Sequence, residues 1–244
     1  MCCRDTSPVY QRMLRFVTQV RVVIPALNEA HHLPGLLEDL GQVALPLDVT
    51  VVDGGSHDDT VLLARAGGAR VVTTPAGRAI QMNAGARDAD TEWLCFLHAD
   101  IRLPPPARDD FVRAVSFPRA DVAVWRLAID GPGWWLRTVE YGALVRDRIG
   151  GLPYGDQGLL VRRVLFERLG GFPDVPVLED VAFVRAVRRA TSISRLPSPV
   201  VVSARRWETE GPYRTWLRNS ALLIAYLLGV SPHRLAKWYP RQNA

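Results

Sequence analysis

Apolar residues in the first hundred positions come in short bursts that switch between two periods. Arg21-Val22-Val23-Ile24-Pro25 is a β-branched run ended by proline, the pattern of a buried parallel strand. Leu33, Leu36, Leu37 and Leu40 then recur at helical spacing, which predicts a helix over 29–40. The alternation continues with a strand over 49–52, a helix over 58–65 closed by Gly67-Gly68, a strand over 70–73, a helix over 78–87 and a strand over 93–97. Repeated β-α units of this kind predict an α/β fold: a mostly parallel central sheet with helices on both faces.

The second half is less regular. Three prolines, Pro104 to Pro106, precede a helix over 109–115, and 121–129 alternates as a strand. A helix over 134–149 is broken by Gly150-Gly151-Leu152-Pro153. Strands at 159–161 and 200–202 and helices at 164–169, 179–189 and 213–228 complete the pattern. No repeat or low-complexity linker interrupts it, so one compact domain is expected.

Composition narrows the class. With 48% hydrophobic and 23% charged residues, the chain of 244 residues is a globular mixture rather than a disordered one, long enough for a sizeable core. Its longest wholly apolar stretch, 221–230, has ten residues, against about 20 for a membrane span. Three cysteines, two of them adjacent (Cys2 and Cys3), make neither a disulfide framework nor a zinc site. No apolar signal segment opens the chain, which points to the cytoplasm.

Charge is uneven. Residues 185–244 hold 11 basic and 2 acidic side chains, net +9; residues 1–184 hold the remaining 19 and 23, net −4. A basic C-terminal quarter suits a phosphate-bearing ligand, an anionic membrane surface or nucleic acid, and a solvated arginine-rich surface is the plain alternative. No nucleic-acid-binding motif accompanies it, so nucleic acid is not expected as a partner.

In an open α/β sheet, ligands bind beyond the carboxyl ends of the strands. Here those ends read Pro25-Ala26-Leu27-Asn28-Glu29, Asp53-Gly54-Gly55-Ser56-His57-Asp58 and His98-Ala99-Asp100. Helix capping accounts for Ser56 or Asp58. It does not account for Asp53 and Asp100, each close behind an apolar strand.

Taken in order, VVIPALNEA, VVDGGSHDDT, GRAIQMNAGA, FLHAD, YGDQG, GGF with LED, and ARRW resemble the motifs of family 2 inverting glycosyltransferases with the GT-A fold. The resemblance runs from about Arg21 to Asn219 and is nearest to a small soluble branch whose genes often neighbour radical-SAM proteins. It implies a GT-A catalytic domain over 21–212, with a nucleotide-binding half at 21–103 and an acceptor half at 104–212. An N-terminal extension (1–20) and a C-terminal apolar helix with a basic tail (213–244) would flank it.

The resemblance also implies a hexosyl transfer from a nucleotide-diphosphate sugar, UDP-sugar favoured, to a hydroxyl acceptor such as a lipid or a small metabolite, with inversion. Pro25, Ala26, Asn28 and Glu29 would line the base and ribose, and Asp53 would accept from a ring N–H of the base. Arg78, Gln81 and Asn83 would form a polar cluster opening a helix, with Arg78 at its N-terminus favouring phosphate. His98-Ala99-Asp100 stands where the family has Asp-x-Asp. Asp100 would hold a divalent cation, Mn²⁺ or Mg²⁺, and His98 would bind the cation, a ligated water or the ribose. Asp180 would be the general base, with Glu179 beside it; one ionised carboxylate raises the pKa of its neighbour. Gly155, Asp156 and Gln157 would form the acceptor loop. Arg206 and Trp207 would meet diphosphate and acceptor, although Ser203 replaces the glutamine of processive members.

Three rivals are weaker. A nucleotidyltransferase would open with a Gly-rich basic loop, and a dinucleotide oxidoreductase with G-x-G-x-x-G; this chain has neither after its first strand. A non-catalytic nucleotide-sugar or anion-binding relative is the third. The C-terminal helix, apolar nearly all round over 221–228 and flanked by Arg214, Arg218, Arg234 and Lys237, is expected to be buried in a core or a homodimer contact. Peripheral docking at the inner face of the membrane is the other reading.

Overall fold

The computed structural model describes residues 20–145, 147 and 155–238. An eight-stranded sheet has the order β3-β2-β1-β4-β7-β6-β8-β5. Its strands are β1 (Val20–Ala26), β2 (Leu47–Asp53), β3 (Arg70–Thr73), β4 (Trp93–Phe96), β5 (Ile101–Arg102), β6 (Val122–Asp130), β7 (Leu159–Arg162) and β8 (Ser194–Ser203). Strands β3, β2, β1 and β4 run parallel, β6 and β8 run parallel to each other, and β7 and β5 are reversed against their neighbours.

The helices are α1 (Leu33–Gly41), α2 (Thr60–Ala66), α3 (Arg78–Ala86), α4 (Pro105–Ser116), α5 (Trp134–Val145), α6 (Arg163–Arg168), α7 (Glu179–Ala190), α8 (Arg205–Glu210), α9 (Pro212–Leu227) and α10 (Pro232–Leu235). They cover both faces, as the period-2 strands require. Val20, Val22, Ile24, Trp93 and Cys95 face a core closed by α1, α4 and α5, while Val23, Leu94 and Phe96 face a second core closed by α3, α6 and α7. In the second core Phe96, Phe166, Phe172 and Phe183 pack with ring centroids 4.7–5.6 Å apart.

The boundaries differ from the sequence pattern where side chains compete for the backbone. Helix α1 starts at Leu33 rather than at residue 29. Asn28 has φ 53°, and the N–H groups of Glu29 and Ala30 are taken by Thr60 Oγ1 and Asp58 Oδ2. Strand β8 is ten residues long because Pro197 and Pro199 sit at a register shift in its pairing with β6, where a missing N–H costs little. Strand β5, α8 and α10 were too short to register as periodicity. The end of the helix expected over 134–149, the break at 150–153 and the N-terminal extension up to residue 19 lie outside the described residues.

Two features set up the site. Reversal of β7 pairs its first residue, Leu159, with Phe96, the last of β4, so the 155–158 turn lies at the edge where His98 and Asp100 emerge. Helix α3 packs very close to the sheet through Gly85: a Cβ there would fall 2.8 Å from Val52 Cγ2 and closer still to Val23 Cγ1. Gly85→Ala is therefore expected to destabilise the fold by about 1–3 kcal/mol through overpacking, read as a lower urea midpoint; an unchanged midpoint would show that α3 has room to shift.

Candidate active site

The tips of β1 and β2 are stitched together before any ligand is considered. Gln81, buried in the first turns of α3, donates from Nε2 to the carbonyls of Ala26 (2.9 Å) and Val52 (2.8 Å). Its Oε1 accepts from Gly77 N–H. Both amide donors are thus engaged between strand ends. Asn28 Oδ1 accepts from His57 N–H, and Asn28 N–H donates to Ser56 Oγ. The buried Asp53 carboxylate accepts from the N–H groups of Gly55 and Ser56, so it shapes its own loop. Pro25 and Ala26 are buried at the end of β1 and offer backbone rather than side chain.

Helix α3 also holds the segment that leads into α7. Asn83 Nδ2 donates to the Phe172 carbonyl (2.8 Å), and its Oδ1 accepts from Phe172 N–H (2.9 Å), 89 residues away. Gly171 makes this clamp feasible: its φ is +74°, and a Cβ there would lie 2.7 Å from Asn83 Oδ1. The chain then enters α7 through Leu178, left-handed at φ 62°, which sets Glu179 and Asp180 on the first turn. A non-glycine residue in that region carries strain, and strain of this kind concentrates at functional sites.

Electrostatic reach shows which charges share a space. Burial raises the Glu29 carboxyl above its ordinary value; the Asp100 charge adds to this, while Arg205 and Arg78 oppose it. Glu29 Oε1 accepts from Arg205 (3.2 Å), and the buried Oε2 has no hydrogen-bond partner among the described residues. Burial pushes Glu179 up to about 7, helped by the neighbouring Asp180 charge and opposed by Arg78. Arg78 therefore acts on both Glu29 and Glu179, and Asp100 acts on Glu29. The first loop, the end of β4 and the start of α7 face one another. Asp100 is tied to the last strand as well, its carbonyl accepting from Ser203 N–H.

Two members of this group were not singled out in the sequence. Arg205, adjacent to the expected Arg206, is the cation paired with Glu29. His32 has a buried Nε2 without a hydrogen-bond partner among the described residues; its pKa is lowered by burial and by Arg205, against the pull of Asp100. The ARRW and NEAHH runs contain both residues, but spacing alone does not say which side chain turns inward. Of the acceptor-side residues, Gln157 is buried and donates to the Trp125 carbonyl, and Asp156 sits half-buried in the 3₁₀ turn Gly155–Gln157. Trp207 rests half-buried against the larger core. His98 is half-buried and Ala99 buried behind β4. The backbone of Arg206 lies in α8, and its side chain is outside the described atoms.

Among the described residues, no three His, Cys, Asp or Glu side chains gather into a metal cage. A hard cation that arrives with a diphosphate needs only one or two protein carboxylates, since phosphate oxygens and water complete its shell. Asp100, with the unpartnered Glu29 Oε2 in its electrostatic neighbourhood, fits that mode.

A sequence profile of glycosyl transferase family 2 matches residues 21–168. The chain belongs to glycosyl transferase family 2. One family relative, the 4,4'-diaponeurosporenoate glycosyltransferase of Staphylococcus haemolyticus, is 34% identical over 92 residues, which is 34% of this chain and 24% of that protein. The chain thus matches about a quarter of that relative's length. Among solved structures, the 1–349 fragment of Staphylococcus aureus TarS superposes with a TM-score of 0.63 at 17% identity, covering 90% of this chain and 69% of that fragment. Glucosyl-3-phosphoglycerate synthase of Mycobacterium tuberculosis, solved with Mn²⁺, UDP and glucosyl-3-phosphoglycerate, gives a TM-score of 0.59 at 19% identity, covering 93% of this chain and 85% of the synthase. These likenesses establish the GT-A fold of this family 2 chain.

The raised Glu179 carboxyl has a consequence for stability. The folded protein holds a proton that the unfolded chain has released, so this contribution is full below the ordinary glutamate value of 4.5 and is lost as the pH rises through about 7. Glu179→Gln is expected to flatten the fall in urea-unfolding free energy across that window. Parallel pH profiles for the variant and the wild type would mean the carboxyl is not held protonated.

Proposed function

We propose that this family 2 glycosyltransferase moves a hexosyl group from a UDP-sugar to a hydroxyl acceptor, with inversion and with help from a divalent cation. One observation carries the reading: α3, with Arg78 at its N-terminus, ties the ends of β1 and β2 through Gln81 and the segment leading to the acid pair through Asn83. A diphosphate seated at Arg78 and the α3 N-terminus places the sugar between those two halves. UDP in the glucosyl-3-phosphoglycerate synthase structure and UDP-GlcNAc in a TarS structure support uridine as the base.

Asp180 takes the proton from the acceptor hydroxyl as its oxygen bonds to the sugar C1. The bond from C1 to the diphosphate oxygen breaks, and the nucleoside diphosphate leaves with the electron pair. Arg78 stabilises the leaving charge, and Glu179, raised by burial, is largely protonated below neutral pH. A divalent cation held by Asp100 would neutralise the diphosphate. Glu29, with its free buried oxygen, and His32 bound the donor side; Asp156, Gln157 and Trp207 bound the acceptor side.

The proposal separates binding from chemistry. Asp180→Asn is expected to lower turnover by about 100-fold or more, measured as UDP release, while UDP-sugar affinity by calorimetry stays near wild type. Asp100→Ala is expected to remove the Mn²⁺ dependence of UDP binding. Undiminished turnover in the first variant would remove Asp180 as the base. Pyrophosphate rather than UDP as product would favour nucleotidyl transfer.

A further inference from the structure

Helix α9 is apolar nearly all round over 221–227, and the fold seats only one arc of it. At about 100° per residue, Thr215, Leu222, Leu223 and Tyr226 share the inward arc. The first three are buried, and Leu223 and Tyr226 pack with Val181 and Val184 of α7. The opposite arc carries Trp216, Leu217, Ile224 and Leu227, continued by Leu228, with relative exposures of 47, 59, 58, 47 and 81%. Exposed apolar groups continue beyond the helix. The Trp216 indole nitrogen would lie 3.7 Å from a Cβ on Gly142, which sets it against α5 next to Tyr141. Tyr141 is itself exposed, as are Trp134 one face along α5 and Trp238 after α10. Isolated apolar residues on a surface need no explanation, but a contiguous face of this kind marks docking.

Charge identifies the occupant. Between Gly211 and Trp238 the chain has four cations (Arg214, Arg218, Arg234 and Lys237) and no acidic residue. Arg214, Arg234 and Lys237 are exposed. A second copy docked face to face would oppose these cations to one another. An anionic bilayer accepts both features: apolar and aromatic side chains at the acyl boundary, cations on the lipid phosphates. No helix among the described residues is long and apolar enough to cross a membrane, so the contact lies in the plane of the interface.

We infer that the outer arc of α9, with Trp216 set against α5 beside the exposed Tyr141, docks on an anionic phospholipid surface. The inference stands independently of the sugar-transfer reading. The test sediments the purified full chain with vesicles of phosphatidylcholine, with and without phosphatidylglycerol. Binding is expected to the anionic vesicles, with weakening in added salt and a blue shift of tryptophan emission. Ile224→Glu/Leu228→Glu is expected to lower the partition by about tenfold or more, with an unchanged melting temperature because both side chains are exposed in the wild type. Wild-type protein that stays in the supernatant with both vesicles would overturn the inference, as would a variant that partitions normally. A wild-type dimer in sedimentation velocity that the variant dissolves would assign the face to a second copy and overturn it too.

Discussion

Helix α3 can serve both halves of the site only because Gly85 has no side chain. That absence lets the helix lie against Val23 and Val52, close enough for Gln81 to tie the ends of β1 and β2 and for Asn83 to hold the Phe172 backbone. Arg78 is carried at the N-terminus of the same rigid rod, where unpaired N–H groups already favour an anion. A donor loop and an acceptor segment that are remote in sequence are thereby referenced to one element. The hydrogen bonds on Gln81 and Asn83 are spent on position, which leaves Arg78, Glu29 and the acid pair for chemistry.

The centre holds carboxylates in excess of cations. Glu29 lies in reach of Arg78, Arg205 and Asp100, and Glu179 in reach of Arg78 and Asp180, and the molecule relieves the imbalance in two ways. One is protonation, with Glu179 pushed up by burial beside Asp180. The other is pairing, with Arg205 on Glu29. A diphosphate entering alone would compete with these carboxylates for the same arginines. One entering with a divalent cation would bring its own countercharge, which is the physical ground for the proposed cation at Asp100 over further basic residues.

Strand and helix identities over the first hundred residues were legible because local period and tertiary burial agree there: 70–73 matches β3 residue for residue, and 78–87 differs from α3 by one residue. Legibility failed where the signal is not periodic. A two-residue strand such as Ile101–Arg102 has no pattern of its own and exists because Val201 and Val202 lie opposite. At the site, motif order located the segments, but residue type did not distinguish a ligand-facing polar group from a structural one. Gln81, Asn83 and Asp53 read as binding residues, and spacing did not show that their polar atoms also hold backbone. Arg205 was not singled out, because whether it meets Glu29 depends on how α8 starts after β8. The apolar run at 213–228 was read correctly as a helix, yet its pattern, apolar on every side, could not show that only one arc is covered.

The contact between Glu29 and Arg205 spans 176 positions of chain. During synthesis, which releases the N-terminal end first, a nascent chain that has exposed β1 to β4 presents the donor loop with neither its guanidinium partner nor the α7 acids. β7 has not yet entered the sheet between β4 and β6. The reaction centre is thus among the last parts of the molecule to come together, and a product truncated before residue 205 would carry an unshielded Glu29 and an incomplete active site.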